Sequence, residues 1–207
     1  MPMKRTLVVL TVVITAVFIS SACVAQYTEG FKDYKWGISF GFFRPIDENL
    51  RGGKQFSPIG ADDNWVDIKL SYTVKKDEEE RPVSFLALDW IAPASSFSGL
   101  RMTPVTYNVV FRPDKGKFGK MHFTAGAGIF PIKIKTYDLN QWKKFDTTKL
   151  GIMLGGGVDF SKNSRISLNY LWVPDVDAGR YYGSGGSIFR AGYDFSGATL
   201  VYTIDVF

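Results

Sequence analysis

Apolar and polar residues alternate along most of this chain. In residues 65–75 the apolar positions are Val66, Ile68, Leu70, Tyr72 and Val74, separated by Asp67, Lys69, Ser71 and Thr73. Successive side chains of a β-strand point to opposite faces, so a period of two predicts strands. Eight segments show it and form the predicted strands: 34–45, 65–75, 83–91, 100–112, 118–130, 149–160, 165–173 and 197–206.

The two faces of these strands differ in size as well as polarity. In residues 149–160 one face carries Leu150, Ile152, Leu154, Val158 and Phe160, whereas the other is mainly glycine. Elsewhere the second face holds Gly, Ser and Thr with a few charges, which suits the narrow interior of an eight-stranded barrel. The large apolar face then meets lipid. The predicted fold is therefore all-β, an eight-stranded antiparallel up-and-down transmembrane β-barrel.

The predicted connections alternate in length. The links 46–64, 92–99, 131–148 and 174–196 are mostly long, whereas 76–82, 113–117 and 161–164 are short. Outer-membrane barrels combine long extracellular loops with short periplasmic turns. Pro104 interrupts the fourth segment, because proline cannot donate a ladder hydrogen bond. A bulge there, or a strand that starts near Val105, is expected.

Aromatic residues lie near the predicted strand ends, where membrane barrels carry aromatic girdles. The residues expected in these girdles are Trp36, Trp65, Trp90, Phe111, Phe118, Phe130, Phe160 and Trp172. In the third segment, Leu86, Leu88 and Trp90 compete with Phe85 and Ala87 for the outer face, so the register of that strand stays open.

The N-terminus has the pattern of an export signal. Lys4 and Arg5 precede an apolar run at 7–19, and small residues follow at 20–25. The run is too short to span a bilayer comfortably as a helix. We expect cleavage after Ala25, leaving a short periplasmic segment 26–33 before a barrel of residues 34–207. Lipidation of Cys23 is the alternative, although Ser20 stands where bacterial lipoproteins usually have leucine.

Composition narrows the function classes. The chain has 207 residues, which suits one domain after signal removal, and a net charge of +5. This mild basicity is not the footprint of a nucleic-acid-binding protein. It suits contact with anionic lipid head groups, and ordinary surface charge explains it equally well.

Candidate catalytic chemistry is sparse. His122, the single histidine, is expected to point into the barrel as a structural residue, since general acid–base work needs a positioned partner and the sequence identifies none. The segment His122-Phe123-Thr124 resembles the His-x-Ser pair of outer-membrane lipid A deacylases, but Thr124 stands where those enzymes have Ser. Asp67, Lys69, Asp159 and Asp205 are expected to form an interior charge network, because buried charges must pair.

Three further segments have some features of binding sites, but each is explained without a bound ligand. The segment 175–179 resembles part of a calcium loop but lacks the remaining ligands, so it is expected to be a solvated extracellular loop. Gly155-Gly156-Gly157 lacks the spacing of a phosphate-binding loop and indicates close backbone approach. The charge run 75–81 is expected to be a solvated periplasmic turn. We predict no catalytic, cofactor-binding or metal-binding residue, and no cofactor.

Three motifs carry a family resemblance over 34–207. They are Trp36-Gly37-Ile38-Ser39-Phe40-Gly41, Thr124-Ala125-Gly126-Ala127-Gly128, and the strand–turn–strand segment 154–168. Together they resemble the small eight-stranded outer-membrane barrels of the OmpA-, OmpX- and OmpW-like group. The terminal Phe207 matches the carboxy-terminal signal that such proteins present to the barrel-assembly machinery. The resemblance implies outer-membrane lipids and lipopolysaccharide as surroundings.

The expected function is that of a non-enzymatic outer-membrane barrel, either structural in the envelope or binding or passing a small, apolar molecule. Two alternatives stay open: an outer-membrane lipid-modifying enzyme that uses His122, and a soluble periplasmic barrel with an apolar ligand inside. The loops near 51–54, 142–145 and 180–186 are candidate contact surfaces.

Overall fold

The computed structural model describes residues 35–50, 65–94, 100–113, 120–138, 141–182 and 188–206. The predicted signal peptide 1–25 with Cys23, the segment 26–33, the loop 51–54, and Phe118 and Phe207 lie outside the described residues.

The described chain forms a closed antiparallel barrel. The strands are β1 (Trp36–Pro45), β2 (Trp65–Lys76), β3 (Pro82–Pro93), β4 (Arg101–Met102), β5 (Val105–Phe111), β6 (Met121–Asp138), β7 (Gln141–Ser161), β8 (Ser164–Trp172), β9 (Val176–Tyr182), β10 (Ile188–Tyr193) and β11 (Gly197–Asp205). Strand β1 pairs with both β2 and β11, which closes the barrel. Strands β4 and β5 share one position between β3 and β6, so eight positions are filled and the predicted fold is confirmed.

Pro104 separates β4 from β5, as the sequence predicts, and β5 starts at Val105. Because proline lacks an N–H group, the ladder cannot run through it. The pairing continues around the gap, since the carbonyl oxygen of Pro104 accepts a hydrogen bond of 2.9 Å from the backbone N–H of Asp89.

Two predicted loops contain strands, which corrects the sequence expectation. The link 131–148 is a ladder between β6 and β7 that runs from Pro131 opposite Thr148 to Asp138 opposite Gln141. The link 174–196 contains the hairpin β9–β10, so the segment 175–179 is largely strand, and Val176 in it is fully buried. In the first case the barrel ladder continues beyond the lipid-facing apolar pattern from which the strand ends were predicted, and in the second a separate two-stranded sheet forms within the loop.

The outward faces are apolar, as predicted. Leu150 is 74% exposed and Leu168 is 59% exposed, and surfaces of this kind over a whole barrel belong in lipid. In β3, Leu86, Leu88 and Trp90 point outward while Phe85 and Ala87 are buried, which settles the register left open by the sequence. Within the described residues, no helix is long and apolar enough to cross a membrane.

The girdle prediction is right for five aromatic residues and wrong for two. Trp36, Trp90, Phe111, Phe160 and Trp172 are exposed on the outer surface, but Trp65 and Phe130 are buried inside the barrel. They belong to an apolar cluster at the end with the long loops, here named the apolar layer: Phe43, Leu50, Trp65, Ile91, Leu100, Met102, Phe130, Ile132, Ile134, Met153, Leu171, Val173, Val176, Tyr193 and Phe195. Proximity to a strand end does not reveal which face a ring occupies, so the sequence misplaced these two.

Candidate functional site: the barrel interior

The interior is polar toward the short turns and apolar toward the long loops. Its polar half follows from strand parity, because every second residue of β2, β8 and β11 points inward. The inward residues of these strands include Lys69, Ser71, Arg165, Ser167, Asn169, Thr203 and Asp205, all buried. The sequence therefore places a band of hydrogen-bonding and charged groups inside a lipid-embedded wall.

Three ion pairs organise this polar half. Arg165 Nη1 lies 2.7 Å from Asp205 Oδ2, and its Nη2 donates to Asp205 Oδ1 at 3.3 Å. Arg112 Nε lies 2.8 Å from Asp159 Oδ2. Lys69 Nζ lies 3.2 Å from Asp89 Oδ1. The predicted network is confirmed for Lys69, Asp159 and Asp205, because each has an opposite charge beside it, as a low-dielectric interior requires.

Asp67 differs from the other interior acids. It is 1% exposed, and neither of its carboxylate oxygens has a hydrogen-bond partner among the described residues. It is opposite Gly41 on β1 and Ile91 on β3, neither of which offers a side-chain donor. Asp67 thus lies at the boundary where the polar half meets the apolar layer.

His122 has two partners inside the barrel. Its Nε2 is 2.9 Å from Ser167 Oγ, and its Nδ1 is 3.1 Å from Asp159 Oδ1. The second contact lies within ion-pair distance but does not meet the geometry of a hydrogen bond. The inward orientation predicted for His122 is right, and the structure supplies two partners that the sequence did not identify.

The order Ser167–His122–Asp159 is that of a nucleophilic triad, but its placement does not suit lipid chemistry. His122 is 1% exposed, and Ser167 and Asp159 are 7% and 8% exposed. All three face the interior, whereas lipid acyl chains lie against the outer wall. A base also needs a substrate within hydrogen-bond reach. This arrangement ties β6, β7 and β8 together.

A small cavity lies in the polar half. It measures about 20 Å³, and its lining includes Ser39, Lys69, Thr124, Arg165, Ser167 and Thr203. Such a volume holds about one water molecule, with several polar groups to bind it. Within the described part of the chain, no cluster of three His, Cys, Asp or Glu residues is placed to hold a metal ion.

Sequence reasoning found half of this network. It named Asp67, Lys69, Asp159 and Asp205, but it missed Asp89, Arg112 and Arg165 as partners. Alternation along β8 could have identified Arg165, since every second residue of that strand points inward and Arg165 shares this face with Ser167 and Asn169. The glycine triplet prediction is confirmed: a Cβ on Gly157 would lie 2.8 Å from His122 Cε1 and would also overlap the backbone of β8.

Comparison with known proteins gives structural matches only. No protein-family model matches the chain, and no curated protein matches its sequence. The N-terminal β-barrel domain of Pseudomonas aeruginosa OprF is similar in structure, with a TM-score of 0.50, 12% identity, and coverage of 83% of this chain and 98% of that domain.

Two further solved structures are similar at lower scores. Neisserial surface protein A has a TM-score of 0.44 and 10% identity, and covers 83% of this chain and 94% of its own. The outer membrane protein AlkL, solved in lipid bilayers, has a TM-score of 0.40 and 12% identity, and covers 86% of this chain and 90% of its own.

The closed eight-position barrel, its apolar outer wall and the OprF domain match agree on the fold. By its architecture, this chain is a small eight-stranded transmembrane β-barrel of the kind found in outer membranes.

Proposed function

We propose that this protein is a non-enzymatic barrel of the bacterial outer membrane with a structural role in the envelope. The observation that carries the proposal is the filled interior. Ion pairs line the polar half, the apolar layer packs the other half, and the cavity in the polar half holds about one water molecule. Eight-stranded barrels enclose no wide aqueous channel. Passage of a small molecule is therefore the less favoured role.

Conductance measurements test the structural role. The purified full-length protein, reconstituted in a planar bilayer, is expected to give no stable open-channel steps in potassium chloride. Its compact form, which migrates differently on a denaturing gel before and after boiling, shows that the inserted protein is folded. Regular conductance steps from the compact form would contradict a sealed interior and favour passage.

The proposed location depends on the N-terminal export pattern and on the apolar wall. Cell fractionation is expected to place the mature protein, cleaved after Ala25, in the detergent-extractable outer-membrane fraction. Mass spectrometry of the mature N-terminus distinguishes cleavage at this site from lipidation of Cys23. Recovery as a soluble periplasmic protein would refute the membrane proposal.

A non-enzymatic role is supported by the position of Ser167. An activated serine reacts with a fluorophosphonate probe when the probe can reach it. Because Ser167 is 7% exposed and faces the interior, we expect no labelling of the folded protein. Labelling that disappears in both Ser167→Ala and His122→Ala would instead support an acyl-transfer enzyme.

We further propose that the barrel-assembly machinery recognises β11 together with the residues that follow it, as far as Phe207. Strand β11 pairs with β1 to close the barrel, so it contributes the final seam. Phe207→Ala is expected to lower the amount of compact protein in the outer membrane while refolding in detergent stays normal. Val206→Ala is the matched control, since it shortens the neighbouring side chain and keeps the terminal aromatic residue.

A further inference from the structure

A pair of like charges faces outward at the end of the barrel that carries the long loops. Arg101 on β4 and Lys133 on β6 are direct Cα partners across the two strands, and both side chains are exposed. Residues directly opposite one another in an antiparallel pair share a face, and like charges there are destabilising. The pair therefore needs a counter-charge.

Among the described side chains, Asp146 supplies this counter-charge only in part. Asp146 on β7 lies opposite Lys133, and its Oδ2 is 3.8 Å from Lys133 Nζ, with the two side chains 48% and 64% exposed. An exposed pair at that distance contributes little. Farther along the same ladder the Cα atoms of Lys135 and Lys144 are also opposite one another. The backbone register thus concentrates positive charge on β4, β6 and β7.

The depth of the pair matches the lipid head groups. Going toward the long loops, Ile129 on β6 and its partner Leu150 on β7 are the last large apolar residues exposed on the outer wall of these two strands within the described side chains. Lys133 follows Ile129 by four residues, which is about 13 Å along a strand and less in height because barrel strands are tilted. This carries the charges past the hydrocarbon edge into the head-group region.

We propose that Arg101 and Lys133 form a binding site for the phosphate groups of an anionic lipid in the outer leaflet. A phosphate between the two strands neutralises both side chains and relieves their repulsion, and its acyl chains lie along the apolar wall beside Val105, Ile129 and Leu150. Arginine provides several N–H donors for phosphate oxygens, and lysine adds a point charge. The inference rests on the proposed outer-membrane location.

Lipid A with both phosphates is the probe, added to the full-length protein folded in zwitterionic detergent micelles. It is expected to raise the unfolding temperature of the native barrel, whereas lipid A freed of phosphate is not. The double variant R101Q/K133Q is expected to bind the phosphorylated lipid about tenfold more weakly. R44Q/K162Q, which removes the same two charge types at exposed positions elsewhere, is expected to bind it as the native chain does.

A second readout separates binding from simple structural damage. Without the lipid, R101Q/K133Q is expected to be at least as stable as the native barrel, because a repulsive pair is gone. An equal loss of affinity in both double variants would contradict a specific site and would show that lipid A is attracted by the overall positive charge of the protein. Competition by inorganic phosphate at millimolar concentration would assign the site to a free anion. The compact form of each variant is verified first, so a failed lipid site is distinguishable from a failed membrane barrel.

Discussion

Asp67 and Asp205 are buried carboxylates on inward faces with opposite surroundings. Asp205 accepts two hydrogen bonds from Arg165, whereas Asp67 has no hydrogen-bond donor among the described residues. An unsatisfied buried polar group costs about 1–3 kcal/mol, while removal of one member of a buried ion pair costs about 3–5 kcal/mol. Two acids that look alike in the sequence therefore contribute to stability with opposite signs.

Replacement of each acid by its amide tests this contrast. Asp67→Asn is expected to stabilise the barrel by about 1 kcal/mol or more, because it removes a buried charge that has no hydrogen bond and keeps the side-chain shape. Asp205→Asn is expected to destabilise it by about 3 kcal/mol, because Arg165 stays buried without its counter-charge. Urea unfolding in detergent micelles measures both. A destabilised Asp67→Asn would mean that a partner for Asp67 exists in the folded protein.

Asp77 controls the short turn between β2 and β3, outside the membrane-spanning strands. Its Oδ1 accepts hydrogen bonds from the backbone N–H groups of Glu79 and Arg81, and its Oδ2 accepts one from Arg81 Nε at 3.0 Å. Partial burial raises the pKa of Asp77, but the hydrogen bonds and charge of Arg81 outweigh this and lower the pKa below 3.8.

The lowered pKa of Asp77 predicts an acid-dependent contribution to stability. A carboxylate with a depressed folded-state pKa stabilises the native state above its ordinary pKa, and this stabilisation is lost as the pH falls through the folded value. The native chain is expected to be more stable than Asp77→Asn at pH 7, with the difference shrinking below pH 3.8. A difference independent of pH would show that the charge of Asp77 contributes nothing.

At the level of elements, the seam between β1 and β11 imposes a close approach that can be tested. A Cβ on Gly41 would overlap the carbonyl oxygen of Leu200 and lie 2.6 Å from Val201 Cγ1 on β11. The backbone cannot yield there without opening the ladder that closes the barrel. Glycine at this position is therefore required by close approach of the two strands.

Gly41→Ala is expected to reduce the fraction of protein that reaches the compact form, with a cost of about 1–3 kcal/mol for overpacking. Gly192→Ala is the matched control, because a Cβ there meets nothing within 4 Å. Gel migration before and after boiling reports the compact fraction of each. Equal yields for the two variants would show that the seam accommodates a methyl group.

At the level of the whole molecule, the barrel has two apolar regions with different roles. The apolar layer inside is packed like the core of a soluble protein, and Ile132 there is fully buried. The outer wall is covered by lipid, and Leu150 on it is 74% exposed to its surroundings. Packing against fixed neighbours is lost on truncation, whereas fluid lipid fills the space left by a shortened side chain.

Ile132→Ala is therefore expected to destabilise the barrel by about 2–5 kcal/mol, and Leu150→Ala by clearly less. Equilibrium unfolding in lipid vesicles provides both values under the same conditions. Equal costs would contradict a packed layer at the loop end and would indicate that lipid or solvent also reaches Ile132.

The sequence by itself determined where the barrel strands lie and which side of the wall most of their residues face, because alternation with a period of two assigns each side chain to one side. It also located the break at Pro104, since a missing N–H group is a local property. Only the tertiary structure decided which inward charges pair, that Asp67 lacks a hydrogen bond among the described residues, and that Ser167 and Asp159 flank His122. Those contacts join residues far apart in the chain, and their geometry depends on register and closure, which alternation does not specify. The tertiary structure also decided how far β6 and β7 extend and that Trp65 and Phe130 face inward. At the barrel's end, packing between strands and loops overrides the alternation that lipid contact imposes on the strands.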